Sequence, residues 1–346
     1  MFTVPVRISG GRSYEVLIGR GIDLAPHLPP RILLCAHDAR VAPPRIRGAR
    51  YLRLPAGESS KTFAVYRRVI DELIAMDDGR PLALLACGGG AVGDLAGFAA
   101  STYRRGIPFM QIPTTLLAMV DASVGGKTAI NHPRAKNMVG TFHQPVKVVA
   151  DLDRLRTLPP RQYRSGLAEV VKHGLIGDAK LFEAVESDPS SFLSWDASGV
   201  ALAVIRSVRL KADVVRRDER ETQGVRECLN LGHTLGHALE AYHGYRKLLH
   251  GEAVSIGIAA AARVSMHLLG YDETARVDHV LSNLKLPVRL KGESASKLIA
   301  LTKLDKKRRE GKLRMTLLEE TGRYKIVDAV DEKLLREAAR AIGASR

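Results

Sequence analysis

Short apolar runs alternate with stretches of mixed polarity through the first part of the chain. Residues 2–8 and 13–18 alternate apolar and polar positions, as two paired strands do. Between Thr62 and Met76 the apolar positions recur with helical spacing, and the threonine is suited to cap that helix. Runs typical of buried strands lie at 31–35, 51–54, 82–87, 109–112 and 146–150. This alternation predicts an α/β arrangement around a mostly parallel sheet.

The pattern changes after Pro159 and Pro160, a double proline that punctuates the chain. Strand-like runs beyond this point are confined mainly to 313–318 and 324–327. Helical periods dominate instead, at 169–176, 200–219, 229–242, 252–269 and 332–341. We therefore predict an α/β domain over residues 1–159 and a mainly α-helical domain over residues 160–346.

The composition of the 346-residue chain is that of an ordinary globular protein, with 45% apolar and 26% charged residues. No apolar run is long enough to predict a transmembrane helix, and the N-terminus lacks the layout of a signal peptide. Three widely spaced cysteines, Cys35, Cys87 and Cys228, fit a reducing compartment. We expect a cytoplasmic protein that does not bind membranes.

The net charge of +16 raises the possibility of a nucleic-acid ligand. The basic residues are mostly scattered, however, and the tightest run is 306–309. Aromatic residues make up 5% of the chain, too few for a base-stacking platform. Because charge alone reports on solubility and steering, an anionic small-molecule substrate explains it better than nucleic acid does.

A glycine turn follows one of the buried apolar runs. Three glycines at 88–90 come directly after the run 82–87, and Gly93 and Asp94 stand in the helical stretch that comes next. A strand, a glycine turn and a helix offer backbone N–H groups to a phosphate, although the spacing matches neither G-x-G-x-x-G nor a Walker A loop. The turn alone leaves phosphate binding and simple packing equally open. Polar and charged residues that follow in an apolar, glycine-rich context favour a ligand site: Thr114, Thr115, Asp121, Lys127, Asn131, Lys136 and Asn137.

A second group of residues could hold a metal ion. His233 and His237 are four positions apart and would share one face of a helix. With His250 and Glu169 they form a set of histidines and a carboxylate that suits a zinc-like ion with an open position. Helical histidines often only satisfy hydrogen bonds in a core, so the pair alone leaves both interpretations open. Because Thr234 follows His233, the H-E-x-x-H motif is missing and a metalloprotease is disfavoured.

Several cations lie beside glycines or apolar helical stretches. Each of them alone would be read as a surface residue whose stem packs on apolar neighbours. Together they suit a substrate that carries a phosphate and a carboxylate. They are Arg105, Lys127, Lys136, Lys172, Lys211, Arg226, Lys306 and Lys307.

Beyond these separate signals, the chain closely resembles the 3-dehydroquinate synthase family. The matching motifs run in family order over most of the chain, so the series is far more specific than any single motif. They are LPAGESSK (54–61), GGGAVGDLAGFAASTYRRG (88–106), PTTLLAMVDASVGGKTAINHPRAKNMVG (113–140), SGLAEVVKHG (165–174), KADVV (211–215), LNLGHTLGHALE (229–240), LLHGEAV (248–254) and DKK (305–307).

The resemblance implies a Rossmann-like NAD-binding domain at 1–159 and a metal- and substrate-binding domain at 160–346. It implies NAD contacts at Glu58, Lys61, Gly90, Gly93, Asp94, Thr114, Thr115, Lys127, Lys136 and Thr157. It implies Zn²⁺ or Co²⁺ ligands at Glu169, His233 and His250. It implies substrate and catalytic contacts at Arg105, Asp121, Lys127, Asn137, Lys172, Lys211, Arg226, Asn230, His237 and Lys307. In the family an arginine at the position of Arg105 comes from a neighbouring subunit, which implies a homodimer.

The reaction that the resemblance implies converts 3-deoxy-D-arabino-heptulosonate 7-phosphate to 3-dehydroquinate and phosphate, a step of the shikimate pathway. It proceeds by transient oxidation with NAD, phosphate elimination, re-reduction and intramolecular aldol closure. The chain departs from the family pattern at 34–51, which is shorter than expected, and by one extra residue near Gln223. We therefore make no assignment for the residues that hold the NAD adenosine.

Three other functions compete with this interpretation. Sibling cyclases that act on sedoheptulose 7-phosphate or glucose 6-phosphate share the fold, but the motif at 123–127, Asn230 and the motif at 305–307 favour the dehydroquinate branch. Metal-dependent alcohol dehydrogenases of related architecture would produce NADH. A basic nucleic-acid binder would show salt-dependent DNA affinity and no cyclase activity.

Overall fold

The computed structural model describes residues 1–8, 11–29, 31–196, 198–302, 308–309 and 312–345. Contacts between Cα atoms divide the chain into two compact units, one of residues 1–158 with 211–220 and one of residues 159–210 with 221–346. The sequence-based division at residue 159 placed 211–220 in the second domain, whereas their contacts group them with the first unit. The domain boundary itself stays a prediction.

The first unit is built around a seven-stranded sheet. Its strand order is β1-β2-β9-β6-β5-β3-β4, and every neighbouring pair is parallel except the antiparallel pair β1–β2. The strands are β1 Phe2–Val6, β2 Tyr14–Gly19, β3 Ile32–Asp38, β4 Arg50–Leu54, β5 Leu82–Gly88, β6 Phe109–Pro113 and β9 Lys147–Asp151. All seven residues of β5 are buried, as the continuous apolar run predicted. The predicted α/β arrangement is confirmed.

Two helices of this unit begin where the sequence pattern places them. Helix α1 (Phe63–Met76) is capped by Thr62, whose hydroxyl accepts a hydrogen bond from the Val65 N–H. Helix α2 (Gly90–Thr102) starts within the glycine turn, directly after β5. A Cβ at Gly97 of α2 would lie 2.4 Å from Cγ2 of Thr128, so this glycine lets α2 pack closely on the strand that carries Thr128.

A hairpin of β7 (Lys127–His132) and β8 (Ala135–Phe142) is the main element that the sequence pattern does not predict. The two strands form a separate antiparallel sheet. Strand β8 is mostly exposed or half-buried, so it shows none of the apolar alternation on which strand prediction depends. Its formation is decided by pairing with β7 rather than by its own composition.

The second unit is mainly helical, which confirms the predicted class. A three-stranded antiparallel sheet accompanies the helices, with strands β10 Arg308–Arg309, β11 Lys312–Glu320 and β12 Arg323–Val330. The helices are α3 Pro160–Gly177, α4 Ala179–Ser187, α5 Ser190–Leu193, α6 Ser198–Arg217, α7 His233–Tyr242, α8 His250–Leu269, α9 Thr274–Asn283, α10 Ala295–Thr302 and α11 Glu332–Ala341. Residues 211–217 of α6 belong to the first unit.

Helix α7 is shorter than its apolar period predicts. Residues Val225–Asn230 form a 3₁₀ turn, and Gly232 adopts a φ of +78°, so the α-helix begins only at His233. A Cβ at Gly257 of α8 would lie 1.9 Å from the carbonyl oxygen of Gly232. Glycines at these two positions therefore allow the backbones of α7 and α8 to approach each other at the start of α7.

Helix α8 forms the centre of the second unit. It packs against α3, α7 and β11, and its small residues, such as Ala253 and Ala260, are fully buried. Among the described residues α8 is the one helix long and apolar enough to cross a membrane by length and composition, and 67% of that apolar window is buried inside the protein. Core helices of soluble proteins have the same properties.

Candidate metal centre and glycine turn

Glu169 lies at the centre of a cluster of polar side chains in the second unit. The side chain is fully buried on α3, and within the described residues neither carboxylate oxygen accepts a hydrogen bond of good geometry. Instead, Lys172, one turn further along α3, forms an ion pair with Oε2. The Nε2 atoms of His250 and His233 lie 3.4 and 3.7 Å from Oε1. A buried carboxylate thus faces two imidazole nitrogens and one ammonium group.

Each of the two histidines beside Glu169 is the first residue of its helix, His233 of α7 and His250 of α8. The Nδ1 atom of His233 lies 3.1 Å from the carbonyl oxygen of Leu231, within hydrogen-bond distance. If Nδ1 donates that bond, Nε2 presents its lone pair on the side of Glu169. Sequence spacing predicted a shared face for His233 and His237, and both do lie on α7.

The donor set fits a divalent metal ion. One ligand atom from each of Glu169, His233 and His250 can be chosen so that all three lie within 4.8 Å of one another. Two imidazoles and a carboxylate, with room for a further ligand, match the preferences of zinc and cobalt. The buried Glu169 oxygens without a well-formed hydrogen bond are the atoms that an ion would satisfy.

Burial and charge set different protonation states within this cluster. Burial acts to raise the pKa of Glu169, but Lys172 and the two histidines hold it well below its usual range. Burial, reinforced by Lys172, lowers the pKa of His233 well below its ordinary value. Burial acts to lower the pKa of His250 too, yet Glu169 and Glu240 raise it to about 10.

The packing of α8 on α3 depends on Gly251. This residue follows His250, and its N–H donates a 3.0 Å hydrogen bond to the hydroxyl of Ser165 on α3. A Cβ at position 251 would lie 1.8 Å from the carbonyl oxygen of Ser165, a backbone atom that has no side-chain freedom to move away. The glycine therefore permits the helix contact that brings His250 to Glu169.

We expect Gly251→Ala to displace α8 from α3 and so to separate His250 from Glu169. Overpacking should lower the free energy of unfolding by about 1–3 kcal/mol, and the altered ligand geometry should weaken zinc binding by roughly tenfold or more. Denaturant unfolding and chelator competition measure the two effects. Gly19→Ala is the control, since a Cβ there meets its nearest atom at 3.4 Å, an ordinary contact. Unchanged metal affinity in Gly251→Ala would contradict the expectation.

Other predicted residues of the second unit lie near this cluster or contribute to its surroundings. The ring of His237 stands 5.2 Å from that of His233 and 6.4 Å from that of His250, measured between centroids, and its side chain is exposed. Arg226 and Asn230 belong to the 3₁₀ turn that precedes α7, and Arg226 is buried. Lys307 lies outside the described residues.

In the glycine turn of the first unit, backbone N–H groups at the N-terminus of α2 are not covered by a capping side chain. Gly89 occupies the N-cap position with an extended backbone, and no side chain caps the helix. A Cβ at Gly90 would lie 2.9 Å from the Cβ of Ala122, and one at Gly93 would lie 2.5 Å from Oε1 of Gln111. These glycines keep the turn compact, and the uncapped helix terminus fits a dinucleotide phosphate.

A chain of hydrogen bonds lies beside this turn. Lys61 is almost fully buried, and its Nζ donates to Oδ2 of Asp94 at 2.6 Å and to the amide oxygen of Asn137. The side-chain oxygen of Asn131 accepts from the N–H of Asn137, and its Nδ2 donates to Glu58 at 2.8 Å. The predicted residues at 58, 61, 94 and 137 are therefore brought together. Asn137 adopts a φ of +56°, a strained conformation of the kind that clusters at functional sites.

Asn131 joins this network although the sequence analysis assigned it no role beyond a polar neighbour. Besides its side-chain bonds, its N–H donates to the carbonyl oxygen of Lys61 at 2.8 Å. The available signal was an amide directly after Ala129 and Ile130, two apolar residues of β7 that are buried. Gln111 was also missed, and it is a buried polar residue on the central strand β6 whose side-chain oxygen sits against Gly93.

Asp121 and Lys211 form a second polar pair in the first unit. Asp121 lies in a π-helical turn, Ala118–Ala122, and such turns are frequent at functional sites. The Nζ atom of Lys211 donates to Oδ1 of Asp121 at 2.5 Å and also to its backbone oxygen. The sequence does not show this pair, because the two residues are ninety positions apart.

The remaining predicted residues of the first unit are more dispersed. Thr114 is buried after β6, whereas the hydroxyl of Thr115 accepts from the Ala118 N–H and so caps the following turn. Lys127 is exposed and Lys136 half-buried, both on the β7–β8 hairpin. Thr157 is exposed at the end of a 3₁₀ turn, and within the described residues no hydrogen bond links it to the network around Lys61.

Lys61→Met is expected to destabilise the protein, because it leaves the Asp94 carboxylate without its ammonium partner. Removing one member of a buried pair costs about 3–5 kcal/mol, and the partial exposure of Asp94 places this case near the lower end. Burial already raises the pKa of Asp94, against the opposing effect of Lys61. Losing the lysine raises that pKa further, so the loss of stability should be largest near pH 8 and shrink as falling pH protonates Asp94.

Urea unfolding between pH 4 and 8 tests this expectation. The Lys61→Met, Asp94→Asn double variant is the control, and its stability should depend less on pH than that of the single variant. An equal loss of stability at all pH values would show that the buried lysine acts through packing alone.

Comparison with known proteins shows the family to which the chain belongs. Residues 51–165 match the family profile described as 3-dehydroquinate synthase N-terminal, and residues 166–308 match the profile described as 3-dehydroquinate synthase C-terminal. A 3-dehydroquinate synthase from Methylococcus capsulatus is 45% identical over 351 residues, covering 96% of this chain and 98% of that protein. This chain belongs to the 3-dehydroquinate synthase family. The resemblance found in the sequence motifs is confirmed.

Two solved structures share the fold of this chain over almost its whole length. A 2-epi-5-epi-valiolone synthase from Streptomyces hygroscopicus, with NAD⁺ and Zn²⁺ bound, superposes with a TM-score of 0.84 at 30% identity, over 97% of this chain and 99% of that one. A 2-deoxy-scyllo-inosose synthase complexed with carbaglucose-6-phosphate, NAD⁺ and Co²⁺ gives a TM-score of 0.85 at 26% identity, over 98% and 99%. The predicted fold class, an α/β N-terminal part and a mainly α-helical C-terminal part, is therefore confirmed.

Proposed function

We propose that this protein is a 3-dehydroquinate synthase, which converts 3-deoxy-D-arabino-heptulosonate 7-phosphate to 3-dehydroquinate and phosphate. The observation that carries the proposal is the convergence of Glu169, His233 and His250 in a chain that matches an enzyme of that name over 96% of its length. We assign the reaction to the carbon–oxygen lyases of the shikimate pathway and the protein to the cytoplasm.

The cofactors that we propose are NAD and a divalent metal, Zn²⁺ or Co²⁺. NAD⁺ with Zn²⁺ or Co²⁺ is bound in the two similar cyclases, which supports the assignment. Glu169, His233 and His250 would hold the metal, and the glycine turn with Asp94 would hold the NAD phosphates and ribose. When bound, NAD supplies reversible hydride transfer and the metal supplies Lewis-acid polarisation of a substrate hydroxyl.

Residues of the chain itself would bind and orient the substrate. Lys172, Lys211 and Arg226 are buried cations that would pair with its phosphate and carboxylate. Asp121 holds the ammonium group of Lys211 in place. His237 has an exposed ring beside the metal cluster and would transfer a proton to or from the substrate. Asn137, Asn230, Lys127 and Lys307 would complete the polar contacts.

Arg105 is the basis for proposing a homodimer. It follows Arg104 in a turn where both residues have positive φ, +59° and +49°, before Gly106 at +128°. Its guanidinium is exposed, and it makes no hydrogen bond or ion pair in the described part of the chain. A strained turn that presents an arginine to solvent suits donation to a neighbouring subunit. Sedimentation analysis of the purified protein tests the dimer.

The test of the proposed activity is incubation with the heptulosonate phosphate, NAD⁺ and zinc, with phosphate and dehydroquinate both quantified. A sibling cyclase is the second candidate, because the two similar solved structures are cyclases with other names. Sedoheptulose 7-phosphate and glucose 6-phosphate are therefore assayed in parallel. Phosphate release from either of these and not from the heptulosonate phosphate would replace the proposal.

A further inference from the structure

Glu240 is a carboxylate that lies on the opposite side of His250 from Glu169. It stands seven positions after His233 and three after His237, so all three share one face of α7. The side chain is 13% exposed, and its Oε2 lies 3.6 Å from Nδ1 of His250. Because Nε2 of the same ring faces Glu169 at 3.4 Å, the imidazole is bracketed by two carboxylates.

The other candidate histidine ligand is oriented in a comparable way. Nδ1 of His233 faces the carbonyl oxygen of Leu231 at 3.1 Å, and its Nε2 also faces Glu169. Both rings therefore have an oxygen atom near Nδ1, at 3.1 Å in His233 and 3.6 Å in His250, and turn Nε2 toward the same carboxylate oxygen. A metal-binding histidine usually donates its second ring N–H to an acceptor, which fixes its tautomer and raises its basicity.

The backbone of His250 is held by a different carboxylate. Glu252 accepts a hydrogen bond from the Leu249 N–H at 2.8 Å and so caps α8, and Arg161 forms 2.7 Å bonds to both Glu252 oxygens. Glu252 thus acts on the helix terminus. Glu169 and Glu240 are the carboxylates beside the two nitrogen atoms of the imidazole ring.

Charge gives Glu240 a second effect. Both histidines begin helices, and the positive end of each helix dipole disfavours a cation nearby. The ammonium group of Lys172 adds to that repulsion from α3. The carboxylate of Glu240, 3.6 Å from Nδ1 of His250, offsets part of this repulsion.

We propose that Glu240 is a positioning residue of the metal centre: it holds His250 through Nδ1 so that Nε2 points to the ion, and its charge strengthens metal binding. This inference rests on the metal ligands assigned under the proposed function. Glu240 would not touch the metal or the substrate.

The test compares metal affinity in Glu240→Gln and Glu240→Ala with the wild type. Zinc dissociation constants are obtained by competition with a chromophoric chelator, and the Co²⁺ absorption spectrum reports ligand geometry. Outer partners of metal-bound histidines typically contribute 10–100-fold in affinity, so Glu240→Ala should bind zinc weaker by that factor. Glu240→Gln keeps an acceptor oxygen and the side-chain volume, so its loss should be smaller. The Co²⁺ spectrum of Glu240→Ala should also shift.

Glu186→Gln is the matched control, because Glu186 is an ion-paired carboxylate of the same unit, bound to Arg276, and belongs to neither site. Its zinc affinity should equal that of the wild type. Thermal unfolding of the metal-free proteins checks that each variant folds, and Glu240→Gln remains informative where the alanine variant does not.

Two outcomes would overturn the inference. The first is a folded Glu240→Ala variant whose zinc affinity lies within twofold of the wild-type value. If Glu240→Ala does not fold, the same result for both Glu240→Gln and the Glu186→Gln control has that meaning. The second is an affinity loss with an unchanged Co²⁺ spectrum and an equal loss of metal-free stability, which would make Glu240 a purely structural residue. Failure of wild-type protein to bind zinc at Glu169 would instead refute the proposed metal ligands themselves.

Discussion

Glu169→Ala is expected to release the metal and to lower turnover by at least about 1,000-fold. The buried carboxylate is the atom group on which His233 and His250 converge, and the remaining two histidines form an incomplete site. A Lewis acid contributes several kcal/mol to the stabilisation of developing charge, and each factor of ten in rate corresponds to about 1.4 kcal/mol. Metal content by atomic emission and phosphate release measure the two losses.

Two controls separate ligand loss from general damage. Chelation of the wild-type protein should abolish turnover without unfolding it, and added zinc should restore the activity. His237→Ala should retain its metal, because its ring is not one of the three converging donors, whereas His250→Ala should lose it. Equal metal loss in both histidine variants, or full activity of the stripped enzyme, would show that the ligand assignment is wrong.

The second large effect is the absence of net NADH formation during turnover. Phosphate has no easy leaving route until a neighbouring ketone acidifies the adjacent C–H, so oxidation has to precede elimination. In the product the ketone has been reduced back to a hydroxyl group. NADH must therefore return its hydride within the same catalytic cycle. NADH absorbance should therefore stay flat at steady state while phosphate accumulates, with NAD⁺ required only in catalytic amounts.

The same experiment distinguishes this protein from the metal-dependent alcohol dehydrogenases. A dehydrogenase forms one NADH for each substrate molecule that it oxidises. The NADH absorbance and the phosphate concentration are recorded in one cuvette over many turnovers, with an active dehydrogenase as the positive control for detection. NADH that rises in step with phosphate would remove the chain from the cyclases.

Local sequence patterns predicted most of the fold. A strand that is buried on both faces consists almost entirely of apolar residues, which the sequence shows directly. The continuous apolar run of β5 and the helical period of α1 with its Thr62 cap lie where the sequence placed them. The hairpin β7–β8 was not predicted, because β8 is largely exposed and its sequence does not alternate between apolar and polar residues. The start of α7 was placed too early, because the apolar period continues through a 3₁₀ turn that Gly232 ends.

The sequence by itself determined the family and the residue types available for catalysis, because motifs and their order can be recognised without a three-dimensional structure. Which atoms meet was decided by tertiary structure. Sequence spacing could not show that Lys211 pairs with Asp121, since that contact spans ninety positions. Nor could it show that Nδ1 of His250 faces Glu240, because a ring orientation depends on how α7 and α8 pack. That packing depends on close backbone approaches that a glycine such as Gly257 allows, and a linear pattern of apolar and polar residues does not show such distances.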